Sequence, residues 1–193
     1  MSGQEYEYLC SLAGHVPLRV GRVPDEVGAG PRRLPERLGD IPVCVLDAAW
    51  TLLAWNTAWE RLCSTSVLEA DRERNMAWRA FTGRRQEWSE REIRFQSSIV
   101  TDLRRTTIRY PGDDWLKDLL SDLQAASVPF ANMWQMPVDT HHRDYPVTVQ
   151  HPDAGPITVD CDILTIHEGD LRAVVYTAES GSDDAARLAL IQN

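Results

Sequence analysis

The sequence predicts an α+β domain in which a five-stranded antiparallel sheet carries helices over one face. Three observations lead there. Two short apolar runs rich in β-branched and aromatic residues stand within 41–56 and the period is two after Pro137, whereas between them apolar residues recur with the 3.6-residue period of amphipathic helices. The resulting order of two strands, a block of helices, three strands and a closing helix lacks the strand–helix alternation of a parallel sheet. Composition permits this: 193 residues, 43% of them hydrophobic, can bury a sizeable core.

At the N-terminus, "EYEYLCSLAGH" puts Leu9 and Leu12 at helical spacing and ends on Gly14, a residue suited to the left-handed conformation that stops a helix. Val16 to Pro35 is rich in Pro, Gly and Arg and has no apolar periodicity, so it reads as a linker or an extended arm over the domain. Residues 1–37 are accordingly a short helix plus linker, and residues 38–193 the compact domain.

"IPVCVLD" and "TLLAWN" are short runs rich in β-branched and aromatic residues, joined by "DAAW" as in a hairpin. Asn56 or Thr57 caps the next helix, and Thr57 with Glu60 fits a capping box. Trp59 falls on the first turns of that helix, so Trp55 and Trp59 flank one space from two elements. In "ERNMAWRAF", Asn75 fits a helix cap. Arg74 either pairs at the surface or turns inward, where its guanidinium fork suits an acidic head group.

"SEREIRFQSSIVTDLRR" opens on a second capping box, Ser89 to Glu92, and places Trp88, Phe95, Ile99 and Leu103 on one side, widened by Ile93 and Val100. "DDWLKDLLSDLQAAS" turns Trp115, Leu116, Leu119, Leu120 and Leu123 inward. Ser127 caps "VPFANMWQM", whose Pro lies in the first turn and whose Phe130, Met133 and Trp134 share a face. After Pro137 the period becomes two. Val147 and Val149 alternate, "HPDAGP" turns the chain, Ile157, Val159, Cys161 and Ile163 alternate, "HEGD" turns it again, and "LRAVVYTA" returns. Ser182 caps a last helix carrying Leu188 and Ile191.

Charge and motifs narrow the function. Twenty basic against 29 acidic residues give a net charge of −9, which opposes approach to a phosphate backbone, and no basic residue lies between Asp47 and Glu60 to make the tryptophans a nucleic-acid stacking platform. The Arg19 to Arg37 run reads as a solvated connector. No apolar run approaches the roughly 20 residues of a membrane span, and the acidic start lacks signal-peptide character, so a cytoplasmic location without membrane contact is expected.

Cys10, Cys44, Cys63 and Cys161 have no C-x-x-C spacing and read as reduced thiols. G-x-S-x-G, G-x-G-x-x-G, phosphate-loop and H-E-x-x-H motifs are missing, which argues against an enzyme and against a bound cofactor. His141, His142, Asp144 and His151 form the best metal-like group, in a loop that no helical spacing organises.

Taken in order, "IPVCVLDAAWTLLAWNTAWERL", "ERNMAWRAF", "LKDLLSDLQAASVPFANMW", "VQHPDAGPITVDCDIL" and "RAVVYTAESGSDDAARLALI" resemble the MmyB-like ligand-binding domain of bacterial transcription regulators, from about Leu34 to Ile191. The resemblance implies a PAS-like fold and a sensor of a small, lipid-like molecule such as a fatty acid. In that family the domain usually follows a helix-turn-helix of the xenobiotic-response-element type, which this chain does not show. DNA contact is thus expected only through such a domain, and the chain is either part of a longer regulator or a stand-alone sensor. Where the family usually has basic residues before "HP", this sequence has Val147, Thr148 and Gln150. Asn56 and Asn75 become structural caps. Trp55, Trp59, Phe81, Leu103, Phe130 and Trp134 become the cavity wall with Arg74 as a polar contact, while Trp50 sits at the hairpin turn outside it. An enzyme using the His141, His142 and Asp144 group on a hydrophobic substrate, and an interaction module forming a homodimer, are the alternatives.

Overall fold

The computed structural model of the chain describes residues 9, 12, 13, 21–63, 72–83, 90–136 and 145–192. The hairpin is β1 (Val43–Leu46) and β2 (Leu52–Trp55), preceded by helix α1 (Ala29–Arg37). A helical block follows: α2 (Thr57–Cys63), α3 (Met76–Thr82), α4 (Glu90–Arg109), α5 (Asp114–Ala126) and α6 (Val128–Gln135). β3 (Tyr145–His151), β4 (Gly155–Ile166), a single 3-10 turn, β5 (Leu171–Thr177) and α7 (Asp183–Gln192) complete the order. The sheet runs β2-β1-β5-β4-β3 with every neighbouring pair antiparallel, so the last strand inserts beside the first. The α+β architecture is the expected one.

Register decides which residues meet the helices. Cys44 opposes Val174, which opposes Ile163 on its other side, and Cys161 opposes Tyr176; these side chains share one face. They join Trp59, Leu62, Phe81, Ile99, Leu119 and Phe130 in one apolar cluster. Leu188 and Ile191 of α7 pack against it. Leu116, Leu119, Leu120 and Leu123 of α5 are all buried, each worth roughly 1.5–3 kcal/mol relative to exposure. Ile93 departs from its expected inward place and is exposed.

The reverse face is not bare. Val43 and Val45 point away from the main cluster and are still fully buried, because α1 lies against β1 and β2 with Pro31 and Pro35 buried. Within the described part of this stretch, residues 21–28 are without regular structure as the sequence reading has it, and residues 29–35 are helical. Proline density argues against a helix by propensity, and the burial of two proline rings on the sheet outweighs it. The arm ahead of α1 does lie over the domain: Val23 belongs to the core, and its N–H donates to Asp113 Oδ2 at 2.7 Å.

Caps settle one open assignment and bear out two others. Asn56, not Thr57, caps α2: its Oδ1 accepts from Trp59 N at 3.0 Å and Val43 N at 3.1 Å, while its amide donates to the Gly39 and Ile41 carbonyls. Ser127 Oγ accepts from Phe130 N, and Ser182 Oγ from Ala185 N, as expected. The Ser89–Glu92 box, Trp88 and most of the N-terminal helix lie outside the described residues.

Candidate functional site

The residues preceding α3 run beside the hairpin as a one-residue bridge between Thr51 and Asn75. Leu52 N donates to Arg74 O at 2.9 Å, and Met76 N donates to Trp50 O at 2.8 Å. Asn75 is completely buried and welds the bridge: Oδ1 accepts from Trp78 N at 2.9 Å, and Nδ2 donates to Ala49 O at 2.7 Å and Thr51 Oγ1 at 3.2 Å. This backbone bonding fixes Arg74 at the edge of β2.

There a pocket of about 450 Å³ opens. Its sides come from the arm (Arg22, Val23, Asp25), the hairpin (Asp47, Thr51, Leu52, Leu53), Arg74, and the start of α5 (Asp113, Trp115). Three of the six carboxylate oxygens of Asp25, Asp47 and Asp113 are already engaged by backbone N–H groups. Asp113 caps α5 through Oδ1 to Leu116 N at 2.8 Å and holds the arm through Oδ2. Asp47 Oδ1 accepts from Ala49 N at 2.8 Å and Thr51 N at 2.7 Å, closing the turn that leaves Trp50 at φ 69°. Arg74 is different: its Nε is buried without a hydrogen-bond partner.

Burial pushes the Asp47 carboxyl up to about 6, against the pull of its backbone donors and of Arg172. Because the folded value lies above the unfolded 3.8, the folded state binds the proton more tightly. Stability from this group is therefore complete below about pH 4 and is lost as pH rises through about 6, with a total of about 3 kcal/mol. Asp47→Asn keeps the acceptor and removes the titration. Its urea midpoint, relative to wild type, is expected to rise between about pH 4 and pH 7; equal slopes for both proteins would refute the assignment.

The structure sorts the other six anticipated residues into contacting sets apart from this pocket. Trp55 of β2 and Trp59 of α2 meet at 6.0 Å between ring centroids. Phe81 of α3 stands edge-on to Phe130 of α6 at 5.0 Å, and Phe130 stacks on Trp134 at 5.6 Å. Leu103 of α4 is fully buried in the same core. Trp59 and Phe130 are 0% exposed, whereas their partners Trp55 and Trp134 are half-buried. Arg104 of α4 lies over the Trp134 ring and donates to the carbonyls of Met133, Trp134 and Met136, holding the end of α6. Among the described residues, only Arg74 of the seven lines the 450 Å³ pocket.

Trp50 sits at the hairpin turn as expected but is buried, edge-on to Phe95 at 6.0 Å with Arg172 over its ring. His141, His142 and Asp144 fall outside the described residues. His151 Nδ1 accepts from Asp153 N and Ala154 N, closing the β3–β4 turn. Among the described residues no group of three His, Cys, Asp or Glu is placed to hold a metal, and no helix is long and apolar enough to cross a membrane.

Sequence reasoning missed Asp47, Asp113 and Trp115 as pocket residues. "DDWL" does carry the signal of an acidic cap before an apolar helix, but nothing local shows that the arm returns to dock on it, 90 residues away in sequence.

Comparison with known proteins bears on the whole body. A family model described as the MmyB-like transcription regulator ligand binding domain matches residues 27–191. No curated protein matches the chain.

Proposed function

This chain belongs to the MmyB-like transcription regulator ligand binding domains, and on that premise we propose that it is a non-catalytic sensor of an apolar, fatty-acid-like molecule. Membership makes it a ligand-sensing regulatory domain. The apolar ligand is supported by one observation: rings contributed by β2, α2, α3 and α6 gather in two sets whose inner members, Trp59 and Phe130, are sealed while the outer ones, Trp55 and Trp134, reach the surface.

An aliphatic chain gains about 0.8 kcal/mol for each methylene it buries, and surface-reaching rings on short elements are the ones it would displace to enter. Phe81 and Leu103 complete the wall behind them. Displacing the Trp134 ring would disturb the seat of α6 on α4, since Arg104 lies over that ring and couples the two helices. Ligand affinity for the displaced arrangement then moves the population toward it, which is how binding becomes regulation.

Native mass spectrometry of protein purified without detergent is expected to show an adduct that organic solvent extracts as an aliphatic acid. Titration of the delipidated chain with palmitate should alter tryptophan emission. An unliganded mass together with unchanged emission would reject an apolar ligand and leave the regulatory fold standing.

A further inference from the structure

The 450 Å³ pocket beneath the arm lies within the volume range of small-molecule sites, and its chemistry differs from that of the aromatic sets. We infer that it is a second binding site, for a small zwitterion of the amino-acid class whose carboxylate meets Arg74 and whose ammonium group meets Asp25. This goes beyond the proposed apolar ligand and stands independently of it.

One donor of the Arg74 cation is unsatisfied. Arg74 Nε is shielded from water and has no acceptor, and no hydrogen bond or ion pair of its guanidinium is found among the described residues. A buried donor left unpaired costs about 1–3 kcal/mol, more when charged. The neighbouring carboxylates do not relieve it: both Asp113 oxygens are taken by backbone N–H groups of Leu116 and Val23, and Asp47 Oδ1 by those of Ala49 and Thr51. A planar two-oxygen acceptor supplied from outside fits the guanidinium fork.

A bare anion fits less well. Three aspartates face the same space as the two guanidinium groups of Arg22 and Arg74, so a ligand with only negative charge would meet repulsion along with attraction. Asp25 is exposed and, among the described residues, makes no hydrogen bond or ion pair, which leaves its carboxylate available to a cationic group. Leu52, Leu53 and the Trp115 ring give the occupant's side chain an apolar floor. Because Val23 and Asp25 belong to the docked arm, occupancy and arm docking stabilise one another through shared contacts.

The test uses the full chain and thermal unfolding. A set of the standard amino acids at millimolar concentration is expected to contain at least one that raises the midpoint. For that amino acid, the matching amine without the carboxylate and the matching acid without the ammonium group should each bind at least about tenfold more weakly by calorimetry. Arg74→Gln should abolish the response and Arg74→Lys restore it only in part, each response being read as the shift from that variant's own midpoint without amino acid. Asp25→Asn should bind the zwitterion more weakly and the matching acid at least as well as wild type does, since one repelling charge is gone. The inference is overturned if no amino acid moves the midpoint, if the amine and the acid bind as well as the zwitterion, or if Arg74→Gln responds like wild type. Palmitate binding that persists in Arg74→Gln separates a failure here from a failure of the apolar-ligand reading.

Discussion

Asn75→Ala is expected to destabilise the domain by about 3 kcal/mol, because one completely buried side chain carries three bonds. Losing a helix N-cap costs roughly 0.5–2 kcal/mol, and leaving the Ala49 carbonyl buried without a donor adds about 1–3 kcal/mol. The midpoint of thermal unfolding should fall by about 10 °C. The result matters beyond α3: Asn75 ties the hairpin turn to the segment that positions Arg74, so its loss should also weaken whatever Arg74 holds. Asn75→Asp is the informative control. It keeps an acceptor for Trp78 N and adds a charge that suits a helix N-terminus, yet it turns a carboxylate toward the Ala49 carbonyl. An intermediate midpoint for the Asp variant supports the division into cap and cross-link; a midpoint for Asn75→Ala within about 2 °C of wild type would refute it.

Much of this architecture is legible locally. The period-two run of β4, the returning strand β5, the leucines of α5 and the Ser127 and Ser182 caps depend on neighbours within one element, and each is found where expected. What is illegible depends on distant partners. α1 is a helix because Pro31 and Pro35 rest against the sheet, and no local preference announces that.

Trp50, placed at a turn by its sequence context, is buried by Phe95 and Arg172, 45 and 122 positions on. The pocket lies at the meeting of the arm, hairpin and α5, so its lining could not be assembled from any single stretch. The aromatic residues show the converse. Their positions on inner faces were readable from spacing, but spacing says nothing about whether rings touch one another or a ligand.

Phe130 addresses that last question, and the largest single effect in the domain is expected there. It is 0% exposed, lies edge-on to Phe81 at 5.0 Å and stacks on Trp134 at 5.6 Å. Phe130→Ala removes the ring shared by both contacts and should cost about 3–5 kcal/mol, with chemical denaturation showing a lower midpoint at an unchanged slope. Phe130→Leu keeps much of the volume and should cost far less, about 1.5 kcal/mol or under. The Leu variant is the one that reports on function. If the ring is core alone, the Leu variant should carry the same co-purified aliphatic acid as wild type, in the same proportion. If Phe130 and Trp134 close over an acyl chain, replacing a flat ring by a branched side chain opens the stack, and bound acid should fall several-fold while the fold persists. A Leu variant that retains ligand fully, beside an Ala variant that unfolds, would assign Phe130 to packing and remove it from the binding wall.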